Sequence, residues 1–187
     1  MRNIKSYLIT DPNYFSDNKE IFKEKLIAVL KNHKIDFACF RDKSSKNIEE
    51  LAKIFLQICK EFKIENILIN SNISLAIKLG FDGVHLNSQQ FDKIENAKKS
   101  KLITIISCHN LEELNKAINK NIDFVTYSPI FDTPNKGQSK GVDKLNEVIE
   151  KFPNLKIFAL GGIIQNEQIK EIEKTKAYGF ASIRYFI

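Results

Sequence analysis

A chain of 187 residues is long enough for one domain with a substantial core, so residues 1–187 are read as a single domain. Its 43% apolar and 28% charged residues exclude a disordered segment. The net charge of +6 comes from lysines scattered among glutamates, which reads as solvated helix faces. That leaves a modest bias toward small anions and gives no grounds for a nucleic-acid partner.

In chain order, Tyr7-Leu-Ile-Thr-Asp11 predicts a short strand closed by the turn signal Asp11-Pro12. Phe22, Leu26, Val29 and Leu30 follow helical spacing, and Ile35–Phe40 predicts a second strand ending in Arg41-Asp-Lys-Ser44. Ile48, Leu51, Ala52, Phe55, Ile58, Cys59 and Phe62 form the clearest amphipathic stripe. Asn66–Asn70 predicts a third strand, and a short helix around Ile73–Leu79 stops at Gly80. Gly83–Leu86 predicts a fourth strand, ending in Asn87-Ser-Gln-Gln90 and a polar helix. Leu102–Ser107 predicts a fifth, followed by His109. Asn110 reads as a helix N-cap with Glu113 three residues on. Phe124–Tyr127 predicts a sixth strand, ending in a loop that carries Thr133, Asn135, Lys136, Ser139 and Lys140 among Pro and Gly. The helix after it places Val142, Leu145, Val148, Ile149 and Phe152 on one face. Lys156–Leu160 and Gly179–Arg184 predict strands seven and eight around a short helix, with Gly161-Gly162 closing strand seven.

Eight strands alternating with seven helices argue for parallel pairing and a closed (β/α)8 TIM barrel. A doubly wound open sheet is the alternative. The barrel is short and is expected to lack most or all of its final helix, since three residues follow the eighth strand. A partner subunit, as in a homodimer, or a shifted helix is then expected to cover the open groove.

A barrel of this kind puts its active site at the strands' C-terminal ends. Arg41, Lys43, Asn70, Ser107, His109, Thr133, Lys136, Gly161, Gly162 and Arg184 all fall there. Cations gathered in one mouth imply an anion among them. Gly161-Gly162 lets backbone amides approach a phosphate, and Arg184 is on the adjacent strand. His109 is the candidate general acid/base, because imidazole titrates near neutrality. His85 lies inside an apolar strand and reads as structural. No His, Cys and carboxylate set has metal-ligand spacing, so no cofactor is expected. Cys39, Cys59 and Cys108 are sparse and unpaired, there is no membrane-length apolar run, and the N-terminus leads straight into a strand. A cytoplasmic protein is expected.

Five motifs in order, Tyr7-Leu-Ile-Thr-Asp11, Phe40-Arg-Asp-Lys43, Gly83-Val-His-Leu86, Ser128–Lys136 and Ala159-Leu-Gly-Gly-Ile163, resemble the thiamin phosphate synthase/TenI family. The resemblance implies a barrel in thiamin biosynthesis handling a phosphorylated thiazole. One branch, the synthase, joins hydroxymethylpyrimidine diphosphate to thiazole phosphate and releases diphosphate with Mg²⁺. Its pattern has carboxylates where this chain has Ser71 and Gln90, a Gln where it has Cys39, and a Thr where it has Asn135. The other branch, a thiazole tautomerase, moves a proton without metal and uses a histidine at the place of His109. The resemblance therefore implies His109 as proton shuttle, with Gly161, Gly162 and the end of strand eight holding phosphate. There the family usually has Ser where this chain has Arg184. The expectation is the tautomerase, then a divergent synthase, then a non-catalytic binder of the same ligand.

Overall fold

The computed structural model describes residues 4–134 and 136–187. The extreme N-terminus and Asn135, the latter named above as a loop donor, lie outside the described residues. Eight parallel strands close on themselves in sequence order: β1 (Lys5–Ile9), β2 (Phe37–Phe40), β3 (Asn66–Asn70), β4 (Gly83–Leu86), β5 (Ile103–Cys108), β6 (Phe124–Tyr127), β7 (Ile157–Leu160) and β8 (Gly179–Ser182). Closure is direct, with Lys5 opposite Gly179 and Leu8 opposite Ser182. This is the expected (β/α)8 barrel and removes the open-sheet alternative.

The helices are α1 (Pro12–Phe15), α2 (Lys19–Asn32), α3 (Ile48–Glu61), α4 (Ile73–Leu79), α5 (Ile94–Lys99), α6 (Leu111–Asn119), α7 (Gly141–Lys151) and α8 (Asn166–Glu173). The sequence reading missed α1, a single turn begun by Pro12 and capped by Asp11, whose side chain accepts from the Asn13 amide. The stripe of α3 buries Leu51, Ala52, Phe55, Leu56, Ile58 and Cys59, as its spacing requires. β8 ends at Ser182, two residues short of the expected Arg184, and a 3₁₀ turn over Arg184–Phe186 follows, so Arg184 is off the strand. Tyr185 and Phe186 pack their rings against His33 at the end of α2, so this turn fills part of the expected groove.

Alternation along each strand divides the apolar residues between two clusters. The larger lies between barrel and helices. The smaller fills the barrel interior and contains Tyr7, Phe37, Phe124 and Phe158. Phe37 lies 5.1 Å from Phe158 and 5.3 Å from Phe124, centroid to centroid. Burying each ring stabilises by about 1.5–3 kcal/mol, with roughly 0.5–1.5 kcal/mol more per aromatic pair. Phe37 and Phe124 open their strands, so this plug closes the N-terminal end and leaves polar groups at the other.

A repeated device registers three strand pairs at the plugged end. An Asp immediately before each of β2, β4 and β6 accepts the second amide of the preceding strand. Asp36 takes Ser6 N–H at 2.9 Å, Asp82 takes Ile67 N–H at 2.8 Å, and Asp123 takes Thr104 N–H at 2.8 Å. Each carboxylate satisfies an amide at the strand's frayed end.

Candidate active site

The same alternation decides what lines the mouth. Continuing the inward positions past the interior cluster, β2 leads to Arg41, β3 to Asn70, β4 to His85, β5 to Ser107 and His109, and β6 to Thr126 and Ser128. Of the expected site residues, Asn70, Ser107, His109, Gly161 and Gly162 meet at this rim. Lys43 and Lys136 are exposed on the loops above it. Thr133 comes against Gly161, and its hydroxyl donates to Phe131 O at 2.9 Å. Arg41 pairs through one guanidinium nitrogen with the Asp11 carboxylate, which offsets its charge and leaves its other N–H donors unassigned. Lys43, Lys136 and Arg184 make no ion pair with a described residue.

The backbone amides just past the eight strands fall into two groups. Six are satisfied within the protein. Thr10 donates to Cys39 O at 3.0 Å, Ser71 to His85 O at 2.9 Å and Ser128 to Cys108 O at 3.2 Å. Arg41 donates to Thr10 Oγ1 at 2.9 Å, Asn87 to Gln90 Oε1 at 3.1 Å and His109 to Glu113 Oε2 at 2.6 Å. The other two, Gly161 and Ile183, have no acceptor among the described residues, and they sit side by side at the ends of β7 and β8.

The surrounding carbonyls explain this. Leu160 O accepts from Ile130 N–H at 2.9 Å and Gly161 O from Phe131 N–H at 3.0 Å. Gly162 O accepts from Gln168 Nε2 at 2.8 Å. In a planar trans peptide the N–H points opposite to the C=O. The amides of Gly161, Gly162 and Ile163 therefore all turn away from the groups that hold those carbonyls. Both glycines have positive φ, +98° and +71°. A Cβ at Gly161 would stand 2.8 Å from Pro129 Cα, and one at Gly162 2.6 Å from Asp132 O. Glycine is needed here first for the close approach of the 129–133 loop, and the unpaired amides follow from it. Backbone N–H groups left without acceptors in this way are chemically suited to an anion.

His109 follows β5 at the same rim. Its Nδ1 lies 3.2 Å from the Ser128 carbonyl oxygen, an obligate acceptor, and 3.1 Å from Ser128 Oγ. Nδ1 therefore carries a proton, so in the neutral tautomer the lone pair is on Nε2, which has no hydrogen-bond partner among the described residues.

Deeper in the barrel is a chain that the sequence reading did not assemble. Tyr7 Oη lies 2.9 Å from His85 Nδ1, and His85 Nε2 lies 3.1 Å from Ser107 Oγ and 3.4 Å from Thr126 Oγ1. Burial, with a smaller effect from the Arg41 charge, lowers His85 to about 3, so the ring is neutral. Burial also raises Tyr7 well above its ordinary value and keeps its phenol protonated. The sequence signal for this chain was period-two alternation placing a polar residue inward on β1, β4, β5 and β6.

The family resemblance implies Mg²⁺ held by carboxylates after β3 and β4. Ser71 and Gln90 occupy those places, and their donors are spent on Asn70 and on the Ser71 carbonyl. Gln90 Nε2 donates to Ser71 O at 3.2 Å, Asn87 Nδ2 to Ser71 Oγ at 3.4 Å, and Ser71 Oγ to Asn70 Oδ1 at 3.3 Å. No group of three or more His, Cys, Asp or Glu side chains among the described residues is placed to hold a metal. This neutral, internally bonded set does not fit a carboxylate-held divalent ion.

Comparison with known proteins bears on the same site. A family model described as "Thiamine monophosphate synthase" matches residues 6–186. A protein of Aquifex aeolicus named "Putative thiamine-phosphate synthase 2" is 36% identical over 186 residues, covering 97% of this chain and 96% of its own. "Thiamine-phosphate synthase 1" of Streptococcus pneumoniae (strain ATCC BAA-255 / R6) is 31% identical over 154 residues, covering 77% of this chain and 72% of its own. A solved structure, the thiamine phosphate pyrophosphorylase from Pyrococcus furiosus, superposes with a TM-score of 0.82 at 25% identity, covering 96% of this chain and 85% of that one.

Proposed function

On the premise that the chain belongs to the thiamine monophosphate synthase family, we propose that its mouth receives a phosphorylated thiazole and that its reaction is the one its relatives are named for. In that reaction hydroxymethylpyrimidine diphosphate is joined to thiazole phosphate and diphosphate leaves. The observation that carries the ligand is the pair of amides at the ends of β7 and β8, Gly161 and Ile183, that have no acceptor among the described residues. The relatives' names support the transfer over the tautomerisation expected from the resemblance. Because Ser71 and Gln90 do not fit a divalent ion, the charge of the leaving diphosphate falls to cations such as the loop residues Lys43 and Lys136 and Arg184 just after β8, none of which makes an ion pair with a described residue.

A second reading is favoured by one observation. The neutral set around Ser71 and Gln90, with His109 at the same rim and its Nε2 without a hydrogen-bond partner among the described residues, suits a metal-independent proton transfer on a thiazole carboxylate phosphate. Purified protein assayed for both reactions decides between them. The transfer reading expects thiamin phosphate from the two phosphorylated substrates, lost by about tenfold or more in Lys136→Ala. Aromatisation of the thiazole carboxylate phosphate without thiamin phosphate, abolished in His109→Ala, would establish the second reading instead. Tight binding of thiazole phosphate with neither turnover would make the chain a non-catalytic binder.

A further inference from the structure

We propose that Tyr7 and His85 are positioning residues that hold the Ser107 hydroxyl as a hydrogen-bond donor to an anionic ligand in the barrel mouth. The inference rests on the reading of the mouth as an anion site, and it adds the two buried residues that orient one of its walls.

Donors and acceptors fix the direction of each bond in the chain. A neutral imidazole has one of each, so the partner at Nδ1 fixes what Nε2 offers. Tyr7 has two neighbours for its O–H: His85 Nδ1 at 2.9 Å and the thiol of Cys39. Sulfur is a weak acceptor and imidazole nitrogen a strong one, so the phenol donates to His85. The thiol in turn is directed at Phe40 O, 3.8 Å away. His85 Nε2 must then carry the proton and donate to Ser107 Oγ at 3.1 Å, with Thr126 Oγ1 as a longer second acceptor. With its oxygen engaged from below, the Ser107 hydroxyl hydrogen is left to point away from His85. Ser107 is the partly exposed inward residue of β5, one alternation below His109. The backbone of β4 is held as well, since Asn70 Nδ2 donates to His85 O at 3.0 Å. Both positioning residues are almost completely buried, so ligand contacts neither. Reversing the imidazole would turn the Ser107 hydrogen inward and remove one donor from the mouth.

The test uses the full chain. Long-range ¹H–¹⁵N spectra of the ligand-free protein report the His85 tautomer directly. Wild type is expected to show Nε2–H, and Tyr7→Phe, which deletes only the phenol hydroxyl, to shift the ring toward Nδ1–H. Thiazole phosphate and inorganic phosphate are then titrated. Ser107→Ala is expected to weaken binding by about tenfold, and Tyr7→Phe by a comparable factor. The double variant should lose no more than Ser107→Ala alone, because both remove the same bond. His85→Gln, whose amide can place an N–H near Nε2, should bind within about twofold of wild type. An Nδ1–H ring in the wild type overturns the proposal. So does Tyr7→Phe binding like wild type while Ser107→Ala binds weakly, and in that case the anion site itself stands. If wild type binds neither phosphate, the anion reading falls and the proposal falls with it. Should Tyr7→Phe fail to fold, the wild-type tautomer and the His85→Gln affinity still separate these outcomes.

Discussion

His85 shows how a single buried ring ties stability to pH. It is held at about 3 by burial, below the roughly 6.5 of an exposed imidazole. Between those values the unfolded chain takes up a proton that the native ring refuses. Native stability from this group is therefore complete above about pH 6.5 and is lost as pH falls toward 3. Over pH 7 to 4.5 the loss is on the order of 2–3 kcal/mol. Urea titrations of wild type and His85→Gln at those two pH values should show the variant losing less; parallel losses would remove His85 as the cause. The cysteines make a second prediction. Burial pushes Cys39 and Cys108 up to about 12 and raises Cys59 as well, and all three are enclosed. The native protein should resist iodoacetamide and label at all three positions only when unfolded; rapid labelling of the native chain would show a local opening.

At the level of elements, the corner between β7 and α8 is held from both sides. Gln168 Oε1 accepts the Ile164 and Gln165 amides at 2.7 and 3.0 Å while its Nε2 holds Gly162 O. Gln168→Ala should free the 162–163 peptide and weaken thiazole phosphate binding by several-fold, with melting changed only slightly. Gly162→Ala should cost stability outright, about 2 kcal/mol or more, since its Cβ meets backbone at 2.6 Å and positive φ adds strain. A thermal melt separates these, and equal destabilisation by both would contradict the assigned roles. Most elements were legible in the sequence because their stripes and alternation follow from burial on one face. The miss was α1, where four residues give too short a window for helical periodicity. The Asp36, Asp82 and Asp123 device was also passed over, although an Asp between apolar residues before each of these strands was visible throughout. Its meaning depends on an amide in a neighbouring strand.

For the whole molecule, barrel closure turns eight separate strand tips into one site. The gathering of the strand tips at one end was legible, because parallel strands must present their C-terminal ends together. Their division of labour was not legible. The pairing of Arg41 with Asp11, the Tyr7–His85–Ser107 chain and the two unpaired amides all join residues far apart in sequence and appear only on closure. In the proposed function, the β7–β8 corner anchors the phosphate in this thiamine monophosphate synthase-family barrel. The direct measurement is a ¹H–¹⁵N titration of the protein with thiazole phosphate. Saturable shifts concentrated at the amides of Gly161, Gly162, Ile163 and Ile183 are the expected result, with the six satisfied strand-end amides moving little. Shifts centred on the tips of β2 to β4, or none at all, would contradict it.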